Sequence, residues 1–156
     1  MIQTKHTCQI CARVIKATTG VIAHHGYTRP GYGWQTSSCM GARHLPYEIS
    51  CDQLPIAIKA INNFIASQNV YLVEFVKNPP ATLTRAAMSS YDEAETYPRP
   101  EGFDPNNLPR SYGYKQYYEL EFSNRKHGIE MSIRSAERDL KFMEKRLADW
   151  KAPSDK

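Results

Sequence analysis

The chain has 156 residues, of which 41% are hydrophobic and 23% charged, and its formal net charge is +4. This length suits one domain, or one domain with a small added module. A transmembrane helix would need an apolar run of about 18 residues, which the sequence lacks. The mild positive charge permits contact with phosphates without requiring it. Because the first residues also lack the apolar stretch of a secretory signal, we expect a cytoplasmic protein without membrane contact.

Residues 1–51 are rich in cysteine, histidine, glycine and turn residues and show little helical periodicity. They begin with the pair Cys8 and Cys11, two residues apart. In a reducing cytoplasm, closely spaced cysteines are more often metal ligands than disulfides. A segment this small needs a staple to fold. We therefore predict that residues 1–51 form a zinc-binding module, of the knuckle or treble-clef kind, that is folded by a structural Zn²⁺.

Structural zinc takes four tetrahedral cysteine or histidine ligands. The preferred set is Cys8, Cys11, His25 and Cys39. Cys51 and His44 are the two alternatives to His25 as the fourth ligand. His25 is preferred because Gly26, which follows it, allows a sharp turn with positive φ, and Gly41 closely follows Cys39 in the same way. Cys51 competes because it lies just before an expected helix N-terminus, which favours a thiolate.

A resemblance extends this interpretation. The segment CQICARVIKATTGVIAHHGYTRPGYGWQTSSCMGARHLPYE resembles the N-terminal zinc-finger segment of small phage and prophage proteins of unknown function. The shared pattern is CxxC, then HG with an aromatic residue, then a cysteine closely followed by glycine. Here it falls on Cys8, Cys11, His25-Gly26-Tyr27 and Cys39-x-Gly41. The resemblance implies a phage-related protein acting in a bacterial host cell, and it supports His25 as a zinc ligand.

Two helices are expected in the remainder, residues 52–156. The first covers about 52–77, with Asp52 as a plausible N-cap and an apolar stripe at helical spacing. Its second half is ambiguous, because residues 70–76 have the composition of a strand. Residues 79–111 hold six of the ten prolines. We expect them to form an irregular, exposed connection, with a helical turn or two in its early part.

The second helix is expected over about 112–151. From Ile129 its apolar residues recur at steps of four and three, close to a coiled-coil seam, and Gly128 is a place for a bend. The predicted fold is therefore mainly α: a zinc module followed by an antiparallel helical hairpin with a long, coiled-coil-like C-terminal helix. The longer helix would leave part of its seam free for a partner or for a homodimer. The candidate partner-binding residues are Arg134, Leu140, Met143, Leu147 and Trp150.

We expect a non-enzymatic interaction or regulatory protein. Its partner would be a host or phage protein, with inhibition of a host defence or transcription complex as candidate outcomes. One alternative is a nucleic-acid-binding zinc finger, in which aromatic and basic side chains contact bases and phosphates. Its candidate residues are Arg13, Lys16, Tyr27, Arg29 and Arg43. A second alternative is a metal-dependent, HNH-like nuclease that uses the neighbouring histidines, for which a suitable asparagine and a second CxxC are missing from the sequence.

Overall fold

The computed structural model describes residues 5–26, 37–86, 93–108 and 117–153. In these ranges the chain is mainly helical, as predicted, with two helices and two small strand pairs. The elements in chain order are β1 (Lys5–Thr7), β2 (Val14–Lys16), α1 (Gln53–Lys77), β3 (Thr82–Arg85), β4 (Glu95–Pro98) and α2 (Tyr117–Asp149). No helix in the described ranges is long and apolar enough to cross a membrane.

The chain divides into two compact units. Unit 1 combines Met1–Asn63 with Glu137–Lys156, and unit 2 is Phe64–Ala136. The sequence predicted a different division, into residues 1–51 and 52–156, and that division stays a prediction. Each unit has its own hydrophobic core, and each core contains side chains of both helices.

Unit 1 contains the antiparallel hairpin of β1 and β2, in which His6 lies opposite Ile15. The turn between the strands is the segment that holds Cys8 and Cys11. Its core brings Cys8 and Ile22 together with Leu54 of α1 and Met143 of α2. The ends of both helices therefore supply part of the core around the N-terminal module.

Unit 2 contains the second hairpin, in which β3 and β4 pair antiparallel with Leu83 opposite Tyr97. Thr82–Arg85 and Glu95–Pro98 are therefore strands where an irregular connection with an early helical turn was expected, and residues 87–92 of that early part lie outside the described ranges. The core is largely aromatic. Phe75 of α1 stacks on Phe122 of α2 at 4.5 Å between ring centroids, and Phe103 meets the same ring edge-on at 5.0 Å.

The helices lie close to the predicted ranges. α1 includes residues 70–76, which settles their ambiguity in favour of helix. α2 continues through Gly128 without interruption, and a bend of the helix at this residue stays a prediction. It ends at Asp149, and residues 112–116 of the predicted helix lie outside the described ranges.

Candidate metal centre

Four ligand atoms meet in unit 1. The thiols of Cys8, Cys11 and Cys39 and an imidazole nitrogen of His25 all lie within 4.8 Å of one another. The sulfurs of Cys8 and Cys39 are 3.9 Å apart, and Cys11 Sγ is 3.2 Å from His25 Nε2. A tetrahedral zinc ion with Zn–S bonds of about 2.3 Å separates two sulfurs by about 3.8 Å. The cluster could therefore hold a metal ion, although its geometry does not name the metal.

Two turns of similar design carry the cysteines. In the first, the backbone N–H groups of Ile10 and Cys11 donate to the Cys8 sulfur. In the second, the N–H of Gly41 donates to the Cys39 sulfur. Donors aimed at a sulfur favour the thiolate, which is the form that binds a metal. The chain thus presents the sulfurs of Cys8 and Cys39 as part of a group that could hold a metal ion.

Both glycines singled out in the sequence have a structural reason. Gly26 has φ of +73°, the left-handed conformation that the sequence predicted for the turn after His25. At position 41 glycine is required because the space is restricted: a Cβ there would lie 2.3 Å from the Cys8 sulfur. Any larger residue at position 41 would push apart the two turns that form the site.

The His25 ring is oriented for coordination. Its Nδ1–H donates to the backbone carbonyl of Ala23 at 2.8 Å, so Nε2 keeps its lone pair and faces the Cys11 sulfur. A carbonyl that fixes the tautomer in this way is the usual support of a metal-binding histidine. The side chain is 8% exposed. Backbone pairing of Cys39 N–H with His25 C=O at 2.9 Å holds the two ligands side by side.

Burial raises the pKa of the Cys8 thiol, although the N–H donors of Cys11 and Ile10 act in the opposite direction. Burial also raises the pKa of Cys39, to about 12, against the effect of the Gly41 N–H. The neighbouring thiols add to both shifts through charge repulsion. These cysteines therefore resist ionisation on their own, and a divalent cation would supply the positive charge that stabilises their thiolates.

The two alternative ligands are not in this group. Among the described residues, the clustered set is Cys8, Cys11, His25 and Cys39. Cys51 is half-buried and packs against the unit 1 core. His44 contributes its backbone carbonyl, which accepts from the N–H of Ile22.

Gln9, inside the CxxC turn, was missed by the sequence interpretation. Its side chain is fully buried and makes three hydrogen bonds. The amide nitrogen donates to the Leu45 carbonyl at 2.8 Å and to the Asp52 carboxylate at 2.9 Å, while the amide oxygen accepts from the N–H of Gln53 at 3.0 Å. Gln9 therefore caps the first N–H of α1. Asp52, the predicted N-cap, supports Gln9 instead.

Arg146 of α2 was missed as well. Its guanidinium donates to the Gln9 carbonyl at 3.0 Å and to the Cys8 carbonyl at 3.2 Å, and it lies over the Tyr47 ring at 3.9 Å. Trp150 donates from its indole to the Tyr47 carbonyl at 2.7 Å. These contacts hold the C-terminal end of α2 against the turn that carries Cys8. No sequence signal identifies this pairing, because Arg146 and Gln9 are 137 positions apart.

The other candidate residues have varied positions. Met143 is buried, Leu147 packs against the same core, Leu140 is half-buried and Arg134 is exposed. Partner binding by this face stays a prediction, but Met143 and Leu147 already pack within unit 1. Of the nucleic-acid candidates, Arg13, Lys16 and Arg43 are exposed, and Tyr27 and Arg29 lie outside the described residues.

His24, next to the ligand His25, points to different partners. Its Nε2 accepts from Arg43 Nε at 2.7 Å, and its Nδ1–H donates to the Ser38 hydroxyl at 2.7 Å. Both ring nitrogens are thus engaged, and Arg43 itself has φ of +65°.

Comparisons with protein-family models, with curated proteins and with solved structures find no match to this chain.

Proposed function

We propose that this protein binds one structural Zn²⁺ through Cys8, Cys11, His25 and Cys39, and that it acts as a non-enzymatic interaction protein. The observation that carries the proposal is the set of four ligand atoms within 4.8 Å, with the His25 tautomer fixed by Ala23. Three thiolates and one imidazole form a donor set that suits zinc.

A structural role is supported by the closed ligand set. Catalytic zinc sites keep one coordination position for water or substrate, whereas here the protein supplies all four. Cys8 is fully buried and His25 nearly so, which restricts access to the site. The non-enzymatic part of the proposal rests on this closure.

The interaction role is supported by apolar side chains on the surface of unit 1. Val14, Met40, Leu45 and Ile49 are each more than 40% exposed. Met40 lies between Cys39 and Gly41, so its position depends on the turn that carries the ligand Cys39.

The resemblance to phage proteins makes a host or phage protein the proposed partner, in the bacterial cytoplasm, with a defence or transcription complex as candidate target. An antiparallel, coiled-coil-like pairing of α1 with α2 is part of the same proposal.

Metal content per chain tests the zinc site. Elemental mass spectrometry of the purified protein is expected to give one zinc per chain. His25→Ala should lose most of it, and Cys51→Ala is the matched control that should keep it, because Cys51 lies outside the ligand group. Absence of metal from the wild type, or loss of zinc in Cys51→Ala alone, would refute the assignment.

Affinity capture from bacterial and phage-infected lysates tests the interaction role. A specific partner should be retained by the wild type and lost by Met40→Asp and Leu45→Asp, both with normal zinc content. Lys141→Glu, an exposed change on α2, is the control that should retain it. Equal capture by all variants would show that the exposed apolar residues of unit 1 are not the binding surface.

Nucleic-acid binding is the second candidate, because Arg43 is held by His24 in an exposed position and Arg13 and Lys16 are also exposed. Binding through phosphates weakens steeply with salt. Fluorescence anisotropy with labelled DNA and RNA should then show salt-dependent binding that Arg43→Ala reduces. Affinity that does not change with salt would exclude this candidate.

The nuclease alternative stays a prediction. A plasmid-cleavage assay with added Mg²⁺ or Mn²⁺ tests it.

A further inference from the structure

Unit 2 contains a groove of about 510 Å³, which falls in the size range of small-molecule sites. Helix α1, helix α2 and the segment that follows Phe103 each supply part of its wall. Its lining residues include Leu72, Val73, Val76, Lys77, Pro105 and Lys126. All of them belong to the same compact unit, so the groove does not involve the metal centre of unit 1. We call it the unit 2 groove.

The apolar part of the groove comes mainly from one side of α1. Leu72 and Val76 are one helical turn apart and half-buried, and Val73 lies beside them. Val76 also packs against the aromatic core of unit 2, in which Phe75 stacks on Phe122. One wall of the groove is therefore backed by the packed core, while Val73 is left 66% exposed to solvent.

Two lysines give the groove its charge. Lys77 belongs to the last turn of α1, and Lys126 lies on α2 one turn after Phe122. Lys126 is half-buried, and neither lysine makes an ion pair with another described residue. The described residues that line the groove include no carboxylate. A cation that is partly removed from water without a counter-charge favours the binding of an anion.

Acidic residues close to the groove in the sequence do not neutralise these lysines. Glu74, next to Val73 in α1, accepts a hydrogen bond from the Asn78 side chain at 2.6 Å. Glu130 lies one turn after Lys126, which is the less favourable order for a helical pair, and the two form no ion pair. The positive charge of the groove is therefore available to a ligand.

We propose that the unit 2 groove binds a fatty-acid carboxylate, with its chain against Leu72, Val73 and Val76 and its head group at the two lysines. Lysine stems extend an apolar surface and leave the ammonium group at its edge, which suits a ligand with one apolar chain and one negative end. A protein partner is less favoured, because a stable interface buries about 800 Å² on each side. The apolar part of this groove comes from four side chains, those three and Pro105.

Isothermal titration calorimetry of the purified chain tests the proposal, with laurate as the probe. Laurate, kept below its micelle concentration, should bind at one molecule per chain with a micromolar Kd. Octanoate should bind about tenfold more weakly or worse, because it buries fewer CH₂ groups. Dodecyltrimethylammonium, which has a chain of the same length as laurate and the opposite charge, should not bind. Equal binding of laurate and dodecyltrimethylammonium would overturn the proposal.

Substitutions locate the site. Lys126→Gln should raise the Kd for laurate about tenfold through loss of the charged contact, and Val73→Asp should abolish binding. The matched controls are Lys141→Gln on α2 and Val14→Asp on β2, both at exposed positions of unit 1, and both should leave the Kd unchanged. Circular dichroism confirms that each variant is folded. Equal Kd values for Lys126→Gln and Lys141→Gln would overturn the proposal.

Methyl NMR spectra of the wild type provide an independent readout. The methyl resonances of Leu72, Val73 and Val76 should shift when laurate is added, while those of Val14 stay in place. Absence of these shifts would overturn the proposal. So would dimerisation that Val73→Asp abolishes and that occurs in place of laurate binding, since a second copy of the chain would then occupy the groove.

Discussion

Gln9 links the metal-ligand turn to the first turn of α1, with all three of its hydrogen bonds made in a fully buried position. Gln9→Ala removes these partners and leaves the Gln53 N–H and the Leu45 carbonyl short of one bond each. Both bonds are partly buried, and an unsatisfied group in such a setting costs at most about 1–3 kcal/mol. We expect the zinc-loaded variant to lose about 2–4 kcal/mol of unfolding free energy in urea.

The matched control for this prediction is Gln53→Ala. The Gln53 side chain also donates to the Asp52 carboxylate, but in an exposed setting. This change should cost less than about 1 kcal/mol. Equal losses in the two variants would show that burial of Gln9 has no special effect on stability.

The cysteine pKa values give the site a defined pH dependence. The pKa of Cys39 is raised by burial from its ordinary 9.0 to about 12. A raised pKa favours the metal-free folded state below pH 9, and this contribution is lost as the pH rises through the folded value. Metal binding must displace protons from the same thiols, so metal affinity should fall as the pH falls. Competition with a chromogenic chelator should show zinc held at about pH 8 and released by about pH 5.

The control is His44→Ala, which removes a histidine outside the ligand group and should leave the pH profile unchanged. A zinc affinity that stays constant over this range would contradict coordination by three thiolates. It would also remove the basis for a structural role of the ion.

At the scale of elements, two glycines in open surroundings should respond oppositely to the same substitution. Gly128 lies inside α2 and Gly102 has φ of +71°, and an added Cβ meets nothing within 4 Å at either position. Gly128→Ala should stabilise the protein by about 1 kcal/mol through helix propensity. Gly102→Ala should destabilise it by about 1 kcal/mol through left-handed strain.

Thermal unfolding of both variants measures this difference, because about 1 kcal/mol corresponds to roughly 3 °C in a chain of this size. A lower Tm for Gly128→Ala would mean that α2 needs its glycine, and the bend expected from the sequence would again have to be considered.

The same elements show how far the sequence could predict the fold. The apolar spacing gave both helices, because a side chain that is buried once per turn leaves a period in the sequence. The strands have three or four residues each, which is too short for a visible alternation. Residues 70–76 look like a strand by composition, but Phe75 faces the aromatic core at helical spacing while Val70 and Val73 stay exposed. The packing of Phe75 in the core thus agrees with a helix over residues 70–76, and amino-acid composition contains no information on packing.

The site itself was only partly predictable. Cysteine spacing and the two glycines identified the ligand cluster, because both are local features of the chain. Gln9 and Arg146 support that cluster through contacts across 44 and 137 positions. Such contacts exist only after the chain has folded, so no local pattern could have identified them.

For the molecule as a whole, the two units should differ in their dependence on metal. The unit 1 core contains Cys8 itself, with Cys11 and Cys39 packed against it, so an empty site would leave buried thiols at its centre without the ion that joins them. The unit 2 core consists of aromatic and aliphatic side chains, among them Phe75, Tyr118 and Phe122, and contains no ligand. Burial of apolar area, which needs no ion, stabilises unit 2.

Chelation should therefore unfold unit 1 selectively. Hydrogen exchange measured by mass spectrometry, with and without a strong zinc chelator, should show lost protection for β1, β2 and the turn that carries Cys39. Peptides from β3, β4 and the Phe122 region of α2 should keep most of theirs, because their opening does not involve the metal. Re-addition of zinc should restore the first set, which distinguishes metal loss from irreversible damage. Uniform loss of protection over both units would mean that the two cores unfold as one cooperative unit, with the metal stabilising the whole chain.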